Sequence, residues 1–371
     1  MAFLHRTWAE IDISALIHNY KVIKNSAKDC QLISVVKADA YGHGTNIVIP
    51  ALKAAGADFF AVSNIDEATE LRNMGIDSPI LILGYTPPSA AKELAENNII
   101  QTVYDKDYAI ELSKYAIKEK VTVSVHIKLD TGMGRLGFNC RTDDLCGIKE
   151  ISEILSLKAL SFEVIFTHFS VADTDKEFTD HQYALFNKAV DIVKENCKTI
   201  NLVHCCNSAG LLSHKDKHSN ACRPGIILYG LSPDKSMKFS EELIPAMPLK
   251  SVVSMVKEVD SDTFVSYGRT FKSDKKVRLA TVSVGYADGY PRALSGKGKV
   301  LIGGKEATIV GRVCMDQLIV NIDGIDNVKI GDEVILFGKE LPVDEIAELC
   351  NTINYEIICG ISKRVPRITV K

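Results

Sequence analysis

The stretch Val35-Val36-Lys37-Ala38-Asp39-Ala40-Tyr41-Gly42-His43-Gly44 puts an amine where an amine is costly. Ile33 to Val36 is a short, β-branched, apolar run that suits a strand covered on both faces. Lys37 ends that run, and an ammonium there must be paired, deprotonated or converted to a Schiff base. The bland alternative is a lysine whose stem carries its charge out to solvent. Further polar residues fall at the ends of later β-type runs: Lys128 with Asp130, His168, Asn207 with Ser208, and Arg223 with Gly225. Structural polar groups would spread over both ends of such runs, so a cluster at one end points to chemistry.

The elements that position these residues alternate short β-rich runs with stretches of helical period from Ile13 to about Gly230. The predicted strands are Leu32–Val36, Phe59–Ser63, Ile80–Leu83, Ile100–Tyr104, Ser124–Leu129, Val164–His168, Leu202–Cys206 and Gly225–Tyr229. Helices are expected between them, capped by Ser14, Thr45, Asp66, Asp105, Asp143 and Asp175. Their number fits a (β/α)8 TIM-type barrel, whose active site lies at the C-terminal mouth; the runner-up is an open doubly wound sheet. After Leu231-Ser232-Pro233 the texture changes to strands joined by Gly or Asp turns: Met247–Val259, Val277–Val284, Lys299–Ile302, Ala307–Val313, Leu318–Asn321 and Glu333–Phe337, with one helix near Val343–Cys350. The expected division is a barrel over residues 10–235 and a mostly antiparallel β domain from residues 1–9 and 236–371.

The 371 residues are 46% hydrophobic and 25% charged with a net charge of −3, an ordinary globular balance without an electrostatic footprint for nucleic acid or anionic membrane. A small-molecule partner is expected. No run is long and apolar enough to span a bilayer, and Met1 to Arg6 lacks a secretory core, so a cytoplasmic protein is expected. Ten cysteines without a C-x-x-C pair suit reduced, mostly buried thiols.

Phosphate sites in such barrels form after the seventh and eighth strands. Asn207-Ser208-Ala209-Gly210 and Arg223-Pro224-Gly225-Ile226 supply a hydroxyl, glycines and a cation there. A phosphate cup with a lysine on the opposite rim meets the needs of pyridoxal phosphate: an anchor and an amine. Asp130-Thr131-Gly132-Met133-Gly134-Arg135-Leu136-Gly137 contains G-x-G-x-x-G, but no helix opens inside it and the strand is not the first, so its glycines are read as turning the chain to aim Arg135 inward. Lys128, His168 and His204 could instead hold a metal in a hydrolase; Lys37 stands where that site needs a histidine pair and His204 is short of its predicted strand end, so no metal is expected.

Those motifs, together with N-S-A, R-P-G-I-x-x-Y-G, V-S-Y-G-R-T, G-Y-A-D-G-Y-P-R, G-R-V-C-M-D and N-Y-E with R-V-P-R, resemble the alanine racemase family nearly end to end. Many members carry Asn at the position of Asp39. The resemblance implies a fold-type III pyridoxal phosphate enzyme and a homodimer with active sites shared between one barrel and the partner's β domain. It implies Lys37 as the Schiff-base lysine and one base, and Tyr267, from the partner subunit, as the other. Two bases on opposite faces suit inversion of a chiral carbon. Arg223 would face the pyridine nitrogen, His168 would orient Arg223, and Arg135 would contact the cofactor's phenolic oxygen and the substrate carboxylate beside a carbamylated Lys128. Tyr41, Ser208, Gly225, Ile226 and Tyr355 match the phosphate binders, joined by Asn207 among the cofactor contacts. Met315 and Asp316 match the substrate-carboxylate loop; Asp173, Tyr286, Arg292 and Arg312 match the entrance corridor.

The expected activity is interconversion of L- and D-alanine, supplying D-alanine for peptidoglycan. Its rivals are a serine or broad-specificity racemase, a non-catalytic pyridoxal phosphate carrier, and a pyridoxal phosphate decarboxylase. Tyr355 would narrow the pocket toward a methyl side chain, though one added hydroxyl changes discrimination modestly.

Overall fold

The computed structural model describes residues 6–27, 30–217, 219–237 and 243–371. The chain divides into a barrel unit, Ile17–Ala40 with Ile49–Leu243, and a β unit, Met1–Leu16 with Tyr41–Val48 and Ile244–Lys371.

In the barrel unit parallel strands follow the order Gln31–Leu32, Ala221–Cys222, Leu202–His204, Leu160–Phe166, Val123–Asp130, Ile99–Val103, Ile80–Ile82, Phe60–Val62 and Ser34–Val35. The first and last are pieces of one segment interrupted at Ile33. Ile33 and Val35 donate N–H bonds to Cys222 and Pro224, while Ser34 and Val36 donate to Phe59 and Ala61. Alternate residues of one segment thus satisfy opposite neighbours, which closes the sheet with eight strand positions and removes its edges. The open-sheet alternative fails on this closure.

The eighth strand is not Gly225–Tyr229 but Ala221–Cys222, and Ile226–Tyr229 is a 3-10 turn. Pro224 has no N–H to continue a ladder, and Ile226, Ile227, Leu228 and Tyr229 are all fully buried, so their hydrophobicity carries no period that separates strand from turn. Two other strands stop two residues early, at Phe166 and His204, which makes His204 the last residue of its strand rather than two residues short of the end. Caps differ as well. Asp105 and Asp175 accept from Tyr108 and Phe178 N–H as expected, but Asp12 caps Ala15, Asn64 caps Glu67, and the helix expected after Asp143 opens at Gly147. Asn64 has the extended backbone of a cap, while Asp66 already lies inside the first turn as an anion at the helix N-terminus.

The β unit holds an eight-stranded sheet in the order Val277–Val282, Leu318–Asn321, Lys305–Ile309, Lys299–Ile302, Glu333–Phe337, Leu249–Val259, Thr7–Asp12 and Arg367–Val370. Leu249–Val259 also pairs with Val277–Val282, so most of the sheet curls back on itself. The pairings are antiparallel except Thr7–Asp12 with Arg367–Val370. A short hairpin of Phe264–Val265 with Phe271–Lys272 carries Tyr267 in its loop. The C-terminal strand and the helix Asn354–Cys359 were not anticipated; both are short, and Pro366 interrupts the apolar pattern before the strand.

Candidate active site

Within the barrel unit the site is built around Arg223, which follows the eighth strand and is 3% exposed. Its Nη2 donates to the carbonyls of Thr167 at 2.7 Å and Cys205 at 3.0 Å and shares a hydrogen with His168 Nδ1 at 3.3 Å; its Nη1 donates to His204 Nδ1. Burial lowers its pKa to about 10, opposed by nearby thiols, so it remains charged at neutral pH. A guanidinium has no acceptor, so both ring nitrogens facing it are bare and each imidazole carries its proton on Nε2. His204 Nε2 then donates to His126 Nδ1 at 3.4 Å. Burial first, and then the Arg223 charge, push His126 down to about 3 and His168 and His204 well below 6.5. Three neutral histidines therefore back one fixed cation, and His204 has no ring nitrogen left for a metal.

Lys128 lies in the strand Val123–Asp130 and is 4% exposed. Burial, followed by the charges of Arg135 and Arg223, lowers its pKa to about 8; Asp130 opposes this and Lys37 adds to it. Roughly a tenth of this amine is therefore unprotonated at pH 7, far more than for an ordinary lysine. Asp130 Oδ1 accepts the N–H groups of Gly132 and Gly134 at 3.0 Å each, and this bends the glycine loop that ends in the exposed Arg135. A Cβ on Gly137 would stand 2.5 Å from Asp130 N, so glycine is required where the loop returns.

Lys37 lies two residues beyond Val35, the end of its strand, and Ala38, Asp39, Ala40 and Tyr41 then take φ of 55, 52, 53 and 54°. Four consecutive left-handed residues without glycine cost about 1–2 kcal/mol each, a strain typical of functional sites. Glu67 braces the turn: Oε1 accepts Ala38 N–H at 2.8 Å and Oε2 accepts Ser63 N–H at 2.7 Å.

The two turns expected to bind phosphate are joined by hydrogen bonds. Asn207 Oδ1 caps the helix Ser208–Ser213 through Gly210 N–H at 2.9 Å, and Ser208 Oγ accepts Gly225 N–H at 2.9 Å, joining the helix start to the 3-10 turn that opens at Ile226. A Cβ at Gly210 would crowd Phe169 and Cys206 at 3.2–3.3 Å. Asp173 lies half-buried in the loop after the strand Leu160–Phe166.

The β unit presents its own set. Tyr41 is buried beside Tyr355, their ring centroids 6.0 Å apart, and burial followed by Cys359 pushes its phenol far above 10. Gly42 lets the chain pass there, since a Cβ would stand 2.2 Å from Ile358 O. Tyr267, 69% exposed, shares an open cleft of about 530 Å³ with Ser266, Cys314, Met315, Asp316, Gln317 and Ile319. Among the described residues, the Met315 N–H donates to no protein acceptor, which suits it to an anion entering the cleft. Arg312 packs against Gly268, whose added Cβ would meet its guanidinium at 3.2 Å; Tyr286 and Arg292 are exposed on neighbouring 3-10 turns.

The sequence reading missed Glu67, His126 and Ser266, and it assigned His204 no part in orienting Arg223. Each acts through a partner brought close by the fold: Glu67 on Ala38, His126 on His204, Ser266 on Arg312. Only Ser266 carried a signal, from its place in the quoted Tyr267 motif.

A closed parallel barrel with a lysine on the strained turn after its first strand, a hydroxyl-lined helix start after its seventh and a neutral-histidine-backed arginine after its eighth defines the barrel class of pyridoxal phosphate enzymes. Residues 11–233 match the alanine racemase N-terminal domain and residues 246–369 the alanine racemase C-terminal domain. The alanine racemase of Clostridium perfringens is 47% identical over 98% of this chain and 95% of its own length. Among solved structures, the alanine racemase of Clostridium difficile 630 superposes with TM-score 0.92 at 40% identity, covering 99% of this chain and 96% of that one. That of Bacillus anthracis with bound L-Ala-P gives 0.90 at 37% identity, covering 100% and 96%. The chain belongs to the alanine racemase family, whose members depend on pyridoxal phosphate.

Proposed function

We propose that the protein interconverts L- and D-alanine by a two-base reaction and so supplies D-alanine for peptidoglycan. The observation that carries this is the likeness to named alanine racemases across both units at up to 47% identity. The residues present fit pyridoxal phosphate: donors for its phosphate at the Ser208 hydroxyl, whose oxygen accepts the Gly225 N–H, and at the Ile226 N–H, and a buried Arg223 whose Nε–H no described protein acceptor takes. Bound to the substrate nitrogen, pyridoxal phosphate withdraws electrons from Cα and weakens its C–H bond.

Lys37 supplies the amine that holds the cofactor, and its Nζ takes or returns the Cα proton on one face. The Tyr267 hydroxyl serves the opposite face, delivered by a partner subunit, which suits its 69% exposure. Arg223 stays protonated and offers only donors, so it would hold the cofactor's ring nitrogen in its unprotonated form, in which the group would supply a weaker electron sink. His168 and His204 hold Arg223 in that pose. Arg135 steadies the phenolic oxygen and the substrate carboxylate, and Lys128, whose pKa falls to about 8, is carbamylated by carbon dioxide to align it. Tyr41, Tyr355, Asn207, Ser208, Gly225 and Ile226 hold the phosphate end. Met315 and Asp316 receive the carboxylate, while Asp173, Tyr286, Arg292 and Arg312 line the way in. The working form is a homodimer in the cytoplasm.

Purified protein with pyridoxal phosphate, given L-alanine or L-serine and followed by chiral chromatography, tests the reading. Faster inversion of alanine is expected. Faster inversion of serine would keep both bases and overturn the specificity, and inversion of neither would overturn the function.

A further inference from the structure

The stretch Gly285 to Tyr290 carries a carboxylate that the proposed mechanism does not use. The Asp288 side chain is fully buried and faces two guanidiniums. Arg6 reaches it with both terminal nitrogens, Nη1 to Oδ1 at 2.8 Å and Nη2 to Oδ2 at 3.0 Å. Arg364 Nε donates to Oδ1 at 2.7 Å, and the Gly285 N–H donates to Oδ2 at 2.9 Å. One carboxylate thus meets two cations, and Asp316 balances the surplus: its Oδ1 lies 2.6 Å from Arg364 Nη2. Arg6 Nη2 also donates to the Asp316 carbonyl at 3.3 Å.

What this network holds is shown by the backbone. Tyr286 and Ala287 donate N–H bonds to the carbonyls of Cys314 and Met315, both at 3.0 Å. A Cβ on Gly285 would stand 2.3 Å from each of those two oxygens, so the two turns are stacked as closely as peptides allow. Asp288 sits at the base of the first turn, and Arg364 carries its hold across to the second. A buried charge is retained only where its partners are fixed, and removing one partner leaves the other uncompensated.

We infer that Asp288, through Arg6 and Arg364, is a positioning residue that fixes the Met315–Asp316 peptide for an incoming carboxylate and neutralises the Asp316 side chain that would repel it. The inference rests on the proposed role of Met315 in receiving the substrate carboxylate. Burial alone would raise the Asp288 carboxyl; Arg6, Arg364 and the Gly285 N–H outweigh it and hold the group below its ordinary range, so it is an anion at working pH.

The test is amide hydrogen exchange on the holoenzyme, read at Tyr286 and Ala287, alongside steady-state kinetics and competitive inhibition by propionate. The variants are Asp288→Asn, Arg364→Met and Arg364→Lys. Arg364 is partly exposed, so Arg364→Met keeps the buried Arg6–Asp288 pair and folds even if Asp288→Asn does not. In Arg364→Met, exchange at those two amides should rise about tenfold, KM for L-alanine and the propionate inhibition constant should rise about tenfold together, and kcat should stay within about twofold, the pattern of lost ground-state binding. Arg364→Lys should recover part of each. Unchanged exchange in the variants that fold would overturn the positioning role, and faster exchange with unchanged KM and propionate inhibition would overturn its link to the substrate. Exchange is read without turnover, so a failure of the racemase reading shows separately, as absence of inversion in the unsubstituted protein.

Discussion

The Ser266 hydroxyl donates to the Arg312 carbonyl at 2.8 Å and accepts the Arg312 N–H at 3.1 Å. One side chain thereby ties the turn bearing Tyr267 to the segment leading into Met315. The approach is close enough that a Cβ on Gly311 would stand 2.5 Å from Ser266 Cβ. Ser266→Ala should lower kcat about tenfold through a mobile Tyr267, with a loss of stability of about 1 kcal/mol for the paired hydroxyl. Kinetics and denaturant unfolding check both, and an unchanged kcat would show that the hairpin holds the tyrosine without the serine.

Tyr267→Phe removes only a hydroxyl from an exposed ring. The visible absorbance of bound cofactor should persist while racemisation falls by about 10²–10⁴, the range for one proton-transfer group. Lys37→Ala should abolish that absorbance. Full activity in Tyr267→Phe would remove this residue from the second face.

Lys128 bears on stability as well as on chemistry. Its folded pKa of about 8 lies below the unfolded 10.5, so the native state binds fewer protons between those values. The cost is fully present below pH 8 and fades as pH rises toward 10.5. In buffer freed of carbon dioxide, unfolding free energy should climb with pH in that window, and Lys128→Met should flatten the climb. Intact mass under bicarbonate should show one added carbon dioxide, absent from the variant; its absence from both would leave Lys128 unmodified.

The three neutral histidines act at the acid end. Each native pKa lies below 6.5, His126 at about 3, so unfolding takes up protons as pH falls below 6.5. Stability should fall in that range by up to about 1.4 kcal/mol per pH unit for each histidine. Denaturant unfolding at several pH values should show a shallower slope for His126→Gln, which keeps an acceptor for His204. Parallel slopes would mean that His126 is not held neutral.

The barrel rhythm, the lysine after the first strand and the gathering of polar residues past the strand ends were legible because strand spacing and costly polar residues are local signals. Ile226–Tyr229 was misread because an apolar run buried on all sides looks alike as strand or turn. The chain from Arg223 to His204 and from His204 to His126 was hidden for another reason: it depends on which strands become neighbours, and no residue spacing encodes that. Arg6 meets Asp288 across 282 positions, and neither residue carries a mark of the other.

The strand Thr7–Asp12 lies between Leu249–Val259 and Arg367–Val370, so both of its hydrogen-bonded neighbours are made late. On a ribosome adding about 5–20 residues per second, the first strand of the sheet waits roughly 20–70 s for the last. The barrel segment, complete once Ala221–Cys222 has emerged, can close first. Vectorial synthesis therefore assembles the two units in the order opposite to their first strands, and a released chain ending at Leu243 would hold the whole barrel unit and an orphaned leading strand.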